Sequence, residues 1–203
     1  GFQNRMLGTL SNENLRKYDD TCNFEFDTLN ADERKISLSV TECLKENNVF
    51  LVGDSHAQAL SYSLSQKLES IGFNLITLTQ DGCLPINGLS KKIQNTSCDA
   101  LKKYLYENIY IEDNVVVMSA RWRLNINGVR YDNGEGGKEY GKSGQVYLTE
   151  NNNSIDLNQH LRAELNKISS KVNLLLVNQI PEVGWNVPDV YFSSPDINLT
   201  HSY

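Results

Sequence analysis

The 203-residue sequence predicts an α/β protein built on one mostly parallel sheet with helices packed on both faces. Three observations lead to that class. Apolar-rich runs at "NVFLVG" (48–53), "FNLITLT" (73–79), "DNVVVMSARW" (113–122) and "KVNLLLVNQIP" (171–181) have the length of strands. The first and third are nearly continuous in apolar character, as strands covered on both faces are. Amphipathic helical stretches alternate with these runs and no internal repeat is present, which is the pattern of parallel strands joined by crossover helices. The length suits one substantial core, so residues 1–203 read as a single domain.

In chain order, residues 1–45 are polar and without strong periodicity, and they read as an N-terminal arm wrapped over the domain. The strand at 48–53 ends on Gly53. Residues 56–70 then place Ala59, Leu60, Leu64 and Leu68 on one helical stripe that Gly72 terminates. After the strand at 73–79, "QDGCLPINGLS" is a loop by its glycine and proline content. "CDALKKYLYENI" (98–109) is a second helix with Asp99 in its first turn, where a negative charge suits the helix dipole. Residues 123–155 are turn-rich and polar, a long insertion after the third strand. Residues 154–170 form a third helix capped by Ser154 or Asp156, and Pro181 halts the fourth strand. Four central strands are visible in the pattern and a fifth is not.

Composition narrows the function classes. Apolar residues make up 39% and charged residues 22%, and 19 basic against 25 acidic side chains leave a net charge of -6. Beyond the pair Lys91–Lys92 there is no basic cluster, so nucleic acid is not an expected partner. No apolar run is long enough to span a bilayer. "GFQNRML" lacks the charged, apolar and small-residue zones of a signal peptide, so a secreted product would have been processed or cut from a longer chain.

Cysteines stand at 22, 43, 83 and 98, in no metal-binding or redox spacing, and neither a metal nor a cofactor is expected. Of the three possible pairings, the local one, Cys22–Cys43 with Cys83–Cys98, is favoured. It implies an oxidising compartment. Four free, buried thiols are the alternative.

The chemistry-bearing stretch is "VGDSHA". Gly53 permits a tight backbone path, and Ser55 falls where a strand hands over to a helix. N–H groups left unpaired at a helix start can stabilise charge developing on a substrate oxygen, and open α/β sheets bind ligands at the carboxyl ends of their strands. Ser55 is thus a candidate nucleophile. The competing reading is that Ser55 or Asp54 is simply the helix cap. His56 is adjacent, but neighbouring side chains at a helix start diverge, so it suits a structural or substrate-lining role better than that of the base.

"VFLVGDSHAQAL" resembles the first block of the SGNH hydrolase superfamily, in the histidine-bearing form of one branch. That branch is the SGNH domain fused to the membrane-embedded acyltransferase-3 domain of bacterial enzymes that O-acylate surface polysaccharides, lipopolysaccharide among them. "GFQNR" (1–5), "GCLPI" (82–86), "VVVMSARW" (115–122) and "LLLVNQIPEVGWNVP" (174–188) resemble the same branch in the same order.

The resemblance implies a three-layer α/β/α fold of the flavodoxin-like kind. Ser55 would be the acyl-carrying nucleophile and an oxyanion donor through its own amide. Asp54 would hold the turn, and Gly53, Gly82, His56, Arg121 and Trp122 are further candidates to line the site. Core packing is the other reading of Trp122. Superfamily members often carry a G-x-N-D block after the third strand; "SARW" (119–122) stands there instead, so no asparagine donor is expected.

The family's Asp-x-x-His pair is absent from this sequence. His160 lies within a helix, on an expected exposed face. His201, with Asp196 five residues before it, is a possible base in a poorly anchored tail. The expectation preferred here is that the chain stops short of the domain's end and that the Asp–His pair lies beyond it.

The function expected from the resemblance is periplasmic O-acyl transfer, acetyl foremost, to a polysaccharide hydroxyl. The acyl donor would be relayed across the inner membrane by an acyltransferase-3 domain in the same full-length chain. A carbohydrate esterase or deacetylase, and a non-catalytic glycan-binding module, are the alternatives. Tyr131, Tyr140 and Tyr147 in the 123–155 excursion form a candidate glycan surface, with a solvated insertion as the plainer reading.

Overall fold

The computed structural model describes residues 22–26, 33–92, 95–132, 144–149 and 156–179. Five strands form one fully parallel sheet: β1 (Asn23–Glu25), β2 (Asn48–Gly53), β3 (Asn74–Thr79), β5 (Val115–Ser119) and β7 (Asn173–Val177), in the order β1-β3-β2-β5-β7. Two short strands, β4 (Leu89–Lys91) and β6 (Val146–Leu148), pair antiparallel beside it. The helices are α1 (Glu33–Cys43), α2 (Ser55–Glu69), α3 (Thr96–Tyr104, continued by a π turn over Leu105–Ile109), α4 (Trp122–Asn127) and α5 (Leu157–Ser169).

Strand β2 explains the layering. Its alternate residues Val49 and Leu51 meet Leu75, Val117 and the α2 stripe of Ala57, Leu60, Leu64 and Leu68. Phe50 and Val52 face the other way, into a larger core with Ile76, Leu78, Val116 and Met118. Val40 of α1, Leu101 of α3 and Ile168 of α5 close that second face. One helix on one side and three on the other give a three-layer α/β/α arrangement. Its strands β2 and β5 are almost wholly apolar because neither of their faces meets water.

The fifth strand comes from the N-terminal stretch, which in the sequence reads as a polar arm wrapped over the domain. β1 has only three residues, "NFE", too few to show a period, and its pairing with β3 defines it. The helix in the same stretch had a readable signal. Ile36, Val40 and Cys43 recur at helical spacing, but Leu38, largely exposed, blurs the stripe. Likewise the 123–155 stretch begins in α4 and contains β6, whose partner β4 lies in the glycine-rich loop. Tyr140 lies outside the described residues; Tyr131 and Tyr147 are exposed. Asp156, not Ser154, caps α5, accepting the Asn158 N–H at 2.5 Å.

Both disulfides have the local pairing: Cys22–Cys43, with Cα atoms 5.7 Å apart, ties β1 to α1, and Cys83–Cys98, at 5.3 Å, ties the loop after β3 to α3. That loop is further held by the Tyr106 hydroxyl, which accepts the Asn87 N–H at 3.1 Å and donates to Glu164 at 2.7 Å. His160 is not on an exposed face: it is half-buried, its Nε2 is 2.8 Å from the Asn87 carbonyl oxygen, and it packs against Gly88. Among the described residues, no helix is long and apolar enough to cross a membrane.

The Cys83–Cys98 bridge closes a loop with a sequence separation of 15. Replacing both cysteines by serine is expected to lower unfolding free energy by about 3 kcal/mol. Urea denaturation of the double variant measures this, and an unchanged midpoint and slope would contradict a structural role for the bridge.

Candidate active site

The carboxyl ends of four strands form a row, Thr79, Gly53, Ser119 and Val177, paired in register across the sheet. The chain leaves β2 at Gly53 with φ +149°, a region that disfavours side chains. A Cβ there would overlap the Ser119 carbonyl oxygen and crowd Ala57 Cβ. Glycine is required because the backbones of β2 and β5 and the first turn of α2 converge at this point. The Gly53 carbonyl accepts the Gln80 N–H at 3.1 Å, which fastens the loop after β3 to the same corner.

Asp54 follows, and it is the cap of α2. Its Oδ1 accepts the His56 N–H at 2.9 Å, and its Oδ2 accepts the Arg121 N–H at 2.9 Å and the Asn125 Nδ2 at 3.3 Å. The His56 Nδ1 lies 3.5 Å from Oδ1. With only 2% of its surface exposed, this carboxylate is a buried charge with donors on both oxygens. Burial alone raises its pKa; the His56 ring and the N–H groups of Arg121 and His56 outweigh it, so the carboxyl titrates below its ordinary value.

Because Asp54 does the capping, Ser55 is released from it. Ser55 occupies the first helical position and is exposed. Among the described residues neither its hydroxyl nor its N–H has a hydrogen-bond partner. The N–H is one of the orphan donors of a helix start and points out of the helix end. A hydroxyl beside a free amide at the amino end of a 15-residue helix is a fit arrangement for a nucleophile whose attack develops negative charge on a carbonyl oxygen.

The other sequence-derived residues divide. Gly53, Asp54, Ser55 and His56 form the corner by contiguity, and the His56 side chain is 23% exposed. Arg121 reaches it through its backbone. Trp122 is half-buried against the larger core, and its indole N–H donates to the Val177 carbonyl at 2.8 Å, bracing α4 against the end of β7. Gly82, with φ +64°, sits beneath the Lys91 ammonium. His201 and Asp196 lie outside the described residues.

Three residues escaped the sequence reading. Asn125, 2% exposed, brings an amide to Asp54 from within α4, where the expectation looked only at the four residues leaving β5. Gln179 accepts the Arg123 N–H at 2.7 Å and so joins the end of the "LLLVNQ" block to α4. Lys91 came to notice only as part of a short basic pair. The signal for Asn125 was its i+4 spacing from Arg121, whose carbonyl its Nδ2 also meets at 3.1 Å. Gln179 lies in the 174–188 stretch that carries the resemblance, but nothing local gave it or Lys91 a role.

A strand–Gly–Asp–Ser–helix corner on a parallel sheet is the geometry of the block that the sequence resembles. The family described as SGNH domain (fused to AT3 domains) matches residues 14–200. The chain belongs to the SGNH family. Its description associates this SGNH domain with AT3 acyltransferase domains. No curated protein and no solved structure matches the chain. Among the described residues of this SGNH domain, no group of three or more His, Cys, Asp or Glu side chains is placed to hold a metal ion.

Asp54→Asn is expected to destabilise the SGNH domain by about 2 kcal/mol near neutral pH, since an amide cannot accept from all the donors that converge there. A depressed carboxyl pKa stabilises the fold fully above the unfolded-state value of 3.8, and that advantage vanishes as pH falls through the lower folded-state value. Urea unfolding of both proteins from neutral pH into acid should therefore show the gap closing at the acid end. A gap independent of pH would rule out an ionised Asp54 as its source.

Proposed function

We propose that this SGNH domain is the acyl-transferring serine module of a bacterial O-acyltransferase, with Ser55 as nucleophile. The observation that carries the reading is the division of labour at the corner: Asp54 caps α2, which leaves the Ser55 hydroxyl exposed beside its own free N–H. In the proposed reaction Ser55 Oγ attacks an acyl carbonyl and a base takes its proton. The Ser55 amide receives the developing oxyanion, and collapse of the tetrahedral intermediate expels the donor's leaving group with the proton. A sugar hydroxyl, deprotonated by the same base, then attacks the acyl-serine and departs as the O-acyl ester, restoring the serine.

The base in this scheme is not a histidine of the described residues. The His56 ring is turned to Asp54, and the His160 ring is engaged at Asn87. The scheme assigns it to His201 with Asp196, or to an Asp-x-x-His segment following Tyr203, the latter preferred. The acyl group is proposed to be acetyl, delivered at the periplasmic face by an AT3 membrane domain of the same protein to a surface polysaccharide. The family description and the two disulfides support that setting.

The test is performed on the full-length protein. A fluorophosphonate probe should label the wild type, and Ser55→Ala should abolish labelling and reduce acyl transfer by about 10³-fold or more. Undiminished turnover in Ser55→Ala would remove the serine from the mechanism. Analysis of the polysaccharide separates the outcomes: gain of O-acyl groups marks a transferase, their loss an esterase.

A further inference from the structure

Asp54 holds the histidine two residues on at two points. Its Oδ1 accepts the His56 N–H at 2.9 Å, and the Nδ1 of the same residue's ring stands 3.5 Å from that oxygen. The carboxylate is kept from turning, because Oδ2 is occupied by the Arg121 N–H at 2.9 Å and the Asn125 amide at 3.3 Å. The orientation of the His56 ring is thus set by a buried charge that the segment leaving β5 keeps in place.

The same charge selects the tautomer. The Asp54 carboxyl titrates below its ordinary value, so at neutral pH it only accepts, and a neutral imidazole facing it carries its proton on Nδ1. The lone pair then lies on Nε2, on the side of the ring away from Nδ1. Among the described residues this Nε2 has no hydrogen-bond partner, whereas the Nε2 of His160 is engaged 2.8 Å from the Asn87 carbonyl oxygen. The His56 side chain is 23% exposed and directly follows the exposed Ser55 in the first turn of α2.

An oriented acceptor beside a nucleophile is matched to a substrate group that donates. The Ser55 proton is not that donor, since consecutive side chains of a helix do not face each other. A polyhydroxyl acceptor brings others: while one of its hydroxyls attacks the acyl-serine, the adjacent one is free to donate to Nε2. One such contact selects which hydroxyl stands over the acyl carbon.

We propose that His56 is a specificity-determining residue of the Ser55 site, its Nε2 accepting a hydrogen bond from the hydroxyl vicinal to the one that is acylated. The proposal rests on the acyl-serine reading and narrows its acceptor to a class, the vicinal diols.

The test uses the full-length protein with p-nitrophenyl acetate as acyl donor and two acceptors, trans-cyclohexane-1,2-diol and cyclohexanol. Counted per hydroxyl, the wild type is expected to prefer the diol roughly fivefold, the worth of one hydrogen bond. His56→Asn keeps an amide N–H to face Asp54 in place of Nδ1 and has no atom in place of Nε2. It should bring the ratio close to one, and thermal melting of the variant separates lost recognition from lost folding. An even ratio in the wild type overturns the proposal, as does a diol preference that survives His56→Asn. A second measurement needs no variant: heteronuclear NMR of the wild type with labelled histidine should show the His56 ring protonated on Nδ1, and a ring protonated on Nε2 alone overturns the proposal. Should Ser55→Ala retain full turnover, the acyl-serine reading falls, while the diol ratio and the tautomer still decide the role of His56.

Discussion

The architecture of the corner depends on one buried carboxylate. Asp54 collects an N–H from the start of α2, and an N–H and an amide from the segment that leaves β5 and forms α4, so two separately arriving pieces of chain are held by one charge. Each donor alone would have to be satisfied by water at a site with almost no water access, which makes the shared acceptor the economical arrangement. Because this side chain performs the capping, the next one need not. The exposed Ser55 hydroxyl is therefore a consequence of where the negative charge is buried.

Around that corner the protein invests in rigidity. Gly53 allows β2, β5 and α2 to approach more closely than any side chain would permit. The loop after β3 is tied down by a disulfide, by Tyr106 and by His160, and its Gly53–Gln80 hydrogen bond carries the restraint to the serine. On the other side, the Trp122 indole and the Arg123 N–H fasten α4 to the end of β7. A nucleophile on such a frame needs little reorganisation to meet an acyl carbonyl, and the same frame holds the Lys91 ammonium over Gly82.

The central strands β2 and β5 were legible because burial on both faces leaves a compositional mark, an almost wholly apolar run; β3 mixes buried threonines with its apolar residues, and β7 is an apolar run although it is largely exposed among the described residues. The strands that escaped notice leave no such mark. β1, β4 and β6 have three residues each, and their existence is decided by partners distant in sequence: Phe24 opposite Leu78, and Ser90 opposite Tyr147. The helix α1 lies between. Its buried positions were spaced correctly, but an exposed Leu38 and a surrounding polar stretch diluted the period.

From the sequence alone came the parallel α/β class, the local disulfide pairing and the stretch that bears the serine, because strand burial, loop closure and a strand-to-helix junction are written in contiguous residues. The tertiary structure alone decided which of Asp54 and Ser55 is the cap and that Asn125 serves the same carboxylate. It also decided that one lysine of an adjacent pair turns inward over Gly82. The contacts at Asp54 depend on β5 and α4 arriving at the end of β2, and groups 67 and 71 residues apart have no local signature to read; the turn of Lys91 over Gly82 depends on how β4 pairs with β6.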